Sequence, residues 1–351
     1  MSVPSLCFKC LSLFLLFFTV SLQAQSEAPV LRYPSLSPDA SQVAFSWQGD
    51  IWIAPVSGGA ARRMTVHQAY DAMPAWSPDG RYIAFSSYRN GNYDLYLLSL
   101  EDGSTRRLTW HAAHDVWPAW SPDGEEIWFM TRRDFIAVER EWEVWSTPME
   151  GGTPRRRLDA LGSHIAFSPD GRQLALERGW CRPEREAYRG SANRDLWLYD
   201  FATDSYTPIT TFEGQDMLPD WGPDGQFYYL SAVSGRYNLY RRHRSADGQW
   251  QGPEMLSSLK EEGIMHYDLS RDGRTVVMER LSGVYLMDLA SRKMRRFEPE
   301  LPLDKRFYEK EHKTFSSKAN EVEVSPSGKY LAFVVRGELF ITLNDKEKSR
   351  S

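Results

Sequence analysis

The stretch "PAWSPDGRYIAFSS" at 74–87 returns as "PAWSPDGEEIWFMT" at 118–131. Self-similarity at a fixed period limits what a chain can fold into more than its composition does. Five further copies are present: "SLSPDASQVAFSW" (35–47), "AFSPDGRQLALER" (166–178), "DWGPDGQFYYLSA" (220–232), "DLSRDGRTVVMER" (268–280) and "EVSPSGKYLAFVV" (323–335). Pro38, Pro78, Pro122, Pro169, Pro223, Arg271 and Pro326 are equivalent, so the spacings are 40, 44, 47, 54, 48 and 55 residues. Loops of varying length between constant units produce such drift.

Each copy contains four strand-like pieces. In the second, "MPAWS" leads into the turn "PDG", followed by "RYIAFSS", the polar turn "YRNGNY", "DLYLLSL", a second turn "EDGS" and "TRRLTW". β-Branched and aromatic residues fill the runs, and Gly, Asn, Asp and Pro separate them. Proline presets φ in the first turn, aspartate bonds its own backbone, and Gly80 or Gly124 takes positive φ at little cost. Asp94, Asp195 and Asn238, just ahead of third strands, fit a turn or cap role. Four antiparallel strands every forty-odd residues specify a β-propeller blade. The chain is therefore expected to be all-β: a six-bladed propeller of four-stranded antiparallel blades over 25–300, plus the first strands of a second propeller at 319–351. A charged linker occupies 301–318. Trp52, Tyr96, Trp145, Trp197, Tyr240 and Tyr285 share one third-strand position and are expected to fill the gaps between blades.

The N-terminus has a different character. Lys9 precedes the apolar run "LSLFLLFFTV" (11–20), and Leu22 and Ala24 suit the −3 and −1 places of a cleavage site. Residues 1–24 are read as a signal peptide, too short for a comfortable membrane span. An exported protein, periplasmic or extracellular, is the consequence. Cys7 and Cys10 fall inside that segment, leaving Cys181 without an intrachain partner, so an apolar core has to hold the fold. A net charge of −5 offers no footprint for nucleic acid.

Catalytic and cofactor motifs are absent: there is no G-x-S-x-G, H-E-x-x-H or Walker sequence. No catalytic, cofactor-binding or metal-binding residue is assigned. His67, His111, His114, His164 and His266 gather near the starts of innermost strands without ligand spacing, and structural or surface roles are expected for them. Arginine pairs at Arg62 and Arg63, Arg106 and Arg107, Arg155 to Arg157, and Arg295 and Arg296 fall in fourth strands, where charge discourages edge-to-edge association. Asp71, Asp115 and Asp216 each lie seven residues before the turn proline, where an innermost strand begins. Two readings stand: turn or cap aspartates, or three carboxylates at one channel mouth that contact peptide amines.

The repeat "SPDGRYIAFSS…DLYLLSL…RRLT" resembles the propeller repeats of the TolB family. The segments "AFSPDGRQLALERGWCRPEREAYRGSANRDLWLYD" (166–200) and "ANEVEVSPSGKYLAFVVRGELF" (319–340) are similar to the amino-terminal region of tricorn-type serine peptidases. In that family a six-bladed propeller precedes a seven-bladed one, a PDZ domain and two catalytic regions, and beyond the first strands of the second propeller none of these later parts is expected in the sequence given. The resemblance implies a non-catalytic, peptide-handling propeller with peptides as partners. The alternative is a self-contained TolB-like scaffold that binds other envelope proteins.

Overall fold

A computed structural model describes residues 29–135, 141–245, 247–302, 319–335 and 338–344. The proposed signal segment and nearly all of the charged linker lie outside them. The described residues contain six four-stranded antiparallel sheets, each with its strands in sequence order. The first is Arg32–Leu36, Gln42–Trp47, Asp50–Pro55 and Arg62–Arg63, and the second is Asp71–Trp76, Tyr82–Ser87, Asp94–Ser99 and Thr105–Arg107. The remaining four begin at Val116, Ser163, Asp216 and His266. Each first strand packs against those of the neighbouring sheets, and that of the sixth sheet packs against that of the first, so the six sheets close a ring. Besides this packing, Pro299–Glu300 pairs in parallel with Gly59–Ala60.

The turn between first and second strands shows how local chemistry sets the blade. In the second blade the Ser77 hydroxyl donates to Asp79 at 2.6 Å and accepts from the Tyr82 N–H at 2.9 Å, while Asp79 accepts the Arg81 N–H at 3.0 Å. Gly80 closes the turn at φ 73°, and its counterparts Gly124, Gly171, Gly225 and Gly273 take φ of 67–77°. In the first copy Ala40 stands there at φ 56°, so the turn demands the left-handed conformation even without glycine. A Cβ on Gly80 would sit at an ordinary 3.7 Å from Pro38, which leaves backbone strain as the cost of substitution. Gly80→Val is expected to destabilise the protein by about 1–2 kcal/mol. An unchanged melting temperature would remove this account of the turn.

Packing between blades follows the aromatic third-strand position. Trp52 packs with Val277, Val284 and Leu286 of the sixth blade, and Tyr96 with Ile51 and Ile53 of the first. Tyr240 meets Leu196 and Leu198 of the fourth. Several of these rings also carry an arginine on one face: Arg89 over Tyr96 at 4.8 Å, Arg133 over Trp145 at 4.8 Å and Arg280 over Tyr285 at 4.7 Å. Such contacts add cation–π attraction to area burial.

The fourth-strand arginines do more than guard an edge. Arg63 pairs with the buried Asp50 at 2.6 Å and Arg107 with the buried Asp94 at 2.9 Å, anchoring the fourth strand to the start of the third. Arg62 and Arg106 remain exposed on the blade edge.

The chain divides into two compact units between Pro302 and Leu303. In the second, Ala319–Val324, Tyr330–Val335 and Glu338–Leu343 form a three-stranded antiparallel sheet, with Gly328 at φ 69° in the same turn.

Candidate binding site in the central channel

One backbone feature recurs at the start of the innermost strands. Five residues before the turn proline, Tyr33, Met73, Trp117, His164 and Leu218 all adopt positive φ, between 43° and 58°. Strand pairing shifts register at each of these places, as a β-bulge requires. Non-glycine residues take this conformation only when the surroundings hold them there. The sixth blade has His266 at the equivalent position in regular pairing.

All six of these residues line one central channel of about 570 Å³. Their side chains meet across it: Tyr33 and Trp117 edge to face at 5.2 Å, Trp117 and His164 at 4.7 Å, and Trp117 and His266 at 5.6 Å between ring centroids. Rings therefore narrow the channel at that level. Two residues further along each strand the lining is small or acidic: Ser35, Ala75, Ala119, Ala166, Asp220 and Asp268. The turn prolines and Arg271 then surround the far end, where the Arg271 guanidinium donates across the ring to the Pro78 carbonyl at 3.3 Å. The result is a cup with an aromatic floor, a wider chamber and a rim of turns.

The chamber carries perturbed groups. Burial, reinforced by Asp268, pushes the Asp220 carboxyl up to about 8. Asp268 is pushed up to about 6 by burial, against hydrogen bonds from the Leu36 N–H at 2.6 Å and the Ser35 hydroxyl at 3.0 Å. Burial holds both His164 and His266 down at about 3, so both imidazoles are neutral at pH 7. His266 hydrogen-bonds to the Pro34 carbonyl, while its Nδ1 has no hydrogen-bond partner. Perturbed groups gathered in a concave lining are the usual mark of a ligand site.

The aspartates singled out in the sequence lie elsewhere. Asp71 and Asp115 are fully buried, and neither belongs to the channel lining. Asp71 pairs with Arg89 at 2.8 Å and Asp115 with Arg133 at 2.6 Å, so their charge is compensated inside the blade. Asp216, also buried and away from the lining, is pushed up to about 6 by burial despite hydrogen bonds from Ser231 and Thr210. The reason is local: a residue seven places before the proline lies beyond the bulge, where the strand turns into the blade body. His67 and His111 each accept a nearby backbone N–H through Nδ1, from Ala69 at 2.9 Å and Ala113 at 3.0 Å, and His114 accepts that of Tyr93 at 3.0 Å. His164 and His266 depart from this set by entering the channel. Among the described residues no group of three or more His, Cys, Asp or Glu side chains is disposed to hold a metal.

Two glutamates behind the channel went unnoticed in the sequence. Glu177 is fully buried, pairs with Arg194, and accepts the N–H of Leu218 in the next blade at 3.1 Å. Glu279 repeats this at the ring closure, pairing with Arg32 at 2.5 Å and accepting the Tyr33 N–H at 2.7 Å. Each serves the N–H of the next blade's left-handed residue and so holds the bulge that aims a side chain into the channel. The signal was present: "ALER" and "VMER" stand at the same place in two copies of the repeat.

A closed ring of antiparallel blades around a lined channel defines a β-propeller. The chain belongs to the family described as the tricorn protease N-terminal beta propeller domain, matched over residues 28–293. It is similar to the tricorn protease homolog of Saccharolobus solfataricus, 24% identical over 316 residues covering 88% of this chain and 28% of that protein. It is also similar to tricorn protease homolog 1 of Streptomyces coelicolor, 29% identical over 244 residues covering 64% of this chain and 22% of that one. The chain thus spans well under a third of either relative's length. The crystal structure of the tricorn protease shares the fold, with a TM-score of 0.66 and 19% identity over 90% of this chain and 30% of the other. A putative TolB from Agrobacterium tumefaciens does so with a TM-score of 0.55 and 24% identity over 67% of this chain and 83% of the other.

Proposed function

We propose that this ring is a non-catalytic, peptide-handling propeller of an exported tricorn-like peptidase, taking peptides at its axis beside a peptidase core. The observation that carries the reading is the channel, to which all six blades contribute and which combines aromatic walls with acidic groups. Family membership supports the peptidase context, and the apolar run at 11–20 supports export. Fold alone does not assign a function.

The test is binding of fluorescein-labelled oligopeptides to the purified chain, followed by anisotropy. Ala119→Trp places an indole in the chamber and is expected to weaken binding at least tenfold, with no peptide turnover by either protein. Absence of binding, or binding that ignores the added ring, would sink the proposal, and turnover that copurifies with the chain would sink its non-catalytic part.

One observation favours the second reading, a TolB-like scaffold for envelope proteins. Val66, Tyr70, Tyr88, Trp110, Trp180, Val233 and Leu281 are exposed, and all lie in loops at the end of the blades opposite the S-P-D-G turns. Apolar side chains gathered on one face mark a protein contact. Serine substitution at Trp110 and Tyr88 would abolish capture of a protein partner under that reading while sparing peptide binding.

A further inference from the structure

We propose that the chamber of the channel is a receptor for a cationic group, an arginine or lysine side chain of a peptide, seated between Asp220 and Asp268. The inference rests on the peptide-handling reading and names the chemistry that the site selects.

The geometry supplies three independent elements. Asp220 and Asp268 come from adjacent blades and line the same channel, close enough for the Asp268 charge to oppose ionisation of Asp220. Among the described residues, Arg271 alone brings a lysine or arginine to the lining, and its guanidinium is engaged with the Pro78 carbonyl on the rim. A cation entering the chamber meets acidic groups without a fixed positive neighbour at their level. His266 adds a second element. One ring nitrogen donates to the Pro34 carbonyl and Nδ1, itself buried, has no hydrogen-bond partner among the described residues, so the ring lines the chamber as a neutral imidazole that sets no positive charge beside the carboxyls. The third is the floor of Tyr33 and Trp117, whose π faces suit a cation in a desolvated setting. Arg271 itself shows that a guanidinium fits against a carbonyl of the rim, that of Pro78.

An anionic or neutral ligand fits these elements poorly. A carboxylate would face Asp220 and Asp268, and a purely apolar group would leave the carboxyl oxygens not already engaged by the Leu36 and Trp221 N–H groups and the Ser35 hydroxyl without a further partner. A guanidinium, with five donors in a planar fork, answers the two carboxyl groups together and favours their ionised form.

Calorimetry at low salt with N-acetyl-arginine amide and its neutral isostere N-acetyl-citrulline amide tests this on the unaltered protein. The arginine probe is expected to bind at least tenfold more tightly than the citrulline probe. Asp220→Asn and Asp268→Asn, which keep an acceptor oxygen, are each expected to cost at least tenfold in affinity for the arginine probe. Asp204→Asn, on an exposed outer turn, is expected to leave it unchanged. Equal affinity for the two probes overturns the assignment, as does undiminished binding in both channel variants. If oligopeptides bind but show no requirement for a basic residue, the cation receptor falls and the peptide-handling reading stands. If no oligopeptide binds, both fall.

Discussion

Glu177→Ala is expected to lower the free energy of unfolding by about 3–5 kcal/mol, the range for removing one partner of a buried ion pair. The side chain is fully buried and joins three parts of the molecule: Arg194 in the third-strand approach of its own blade, the Ser163 hydroxyl, and the Leu218 N–H of the next blade. Truncation leaves Arg194, whose side chain is only 11% exposed, without its carboxylate. It also frees the N–H at the bulge. Urea unfolding at pH 7 measures the effect, and Glu177→Gln serves as the companion because it retains an acceptor but not the charge. A loss below about 1 kcal/mol in the alanine variant, the level of a surface pair, would show that this glutamate does not tie the fourth and fifth blades together.

Asp115→Ala is expected to cost a similar amount, about 3–5 kcal/mol, because it strands Arg133 in the same way. The Arg133 side chain is 8% exposed and stacks over Trp145, so water cannot replace the missing carboxylate. Adding Arg133→Met to Asp115→Ala is expected to recover much of the loss, since an apolar side chain in place of the buried cation removes the uncompensated charge. The pair also separates two roles for Asp115. A structural aspartate changes stability and leaves peptide affinity per folded molecule intact, whereas a channel-mouth aspartate changes affinity in the double variant as well.

The blades were legible because their determinants are local. Ser77, Asp79 and Gly80 make their turn with one another, and the alternation in "RYIAFSS" faces the same way in any antiparallel pair. The third-strand aromatics were legible for a related reason: a large ring at a constant place in a repeat has only the neighbouring blade to pack against. Asp71 and Asp115 misled because sequence places them at the start of a strand without showing the direction of the side chain. The bulge at Met73 and Trp117 decides that direction, and these residue types do not announce positive φ. Arg89 and Arg133 complete the burial of the two aspartates from eighteen residues away, across the second strand.

The channel belongs to the tertiary structure alone. Tyr33, Trp117, His164 and His266 share their place in the repeat with Met73 and Leu218, and Asp220 and Asp268 stand where the other blades carry serine or alanine. Repetition, turn chemistry and strand alternation in the sequence determined a ring of four-stranded blades, since each needs only contacts within some forty residues. Which side chains face the axis, and what they meet there, was decided when residues from all six blades converged on one line. A difference between repeats has no chemical meaning along the chain. It acquires one when ring closure brings Glu279 to Tyr33 and Asp268 to Ser35, more than two hundred residues apart in the chain, within hydrogen-bonding distance.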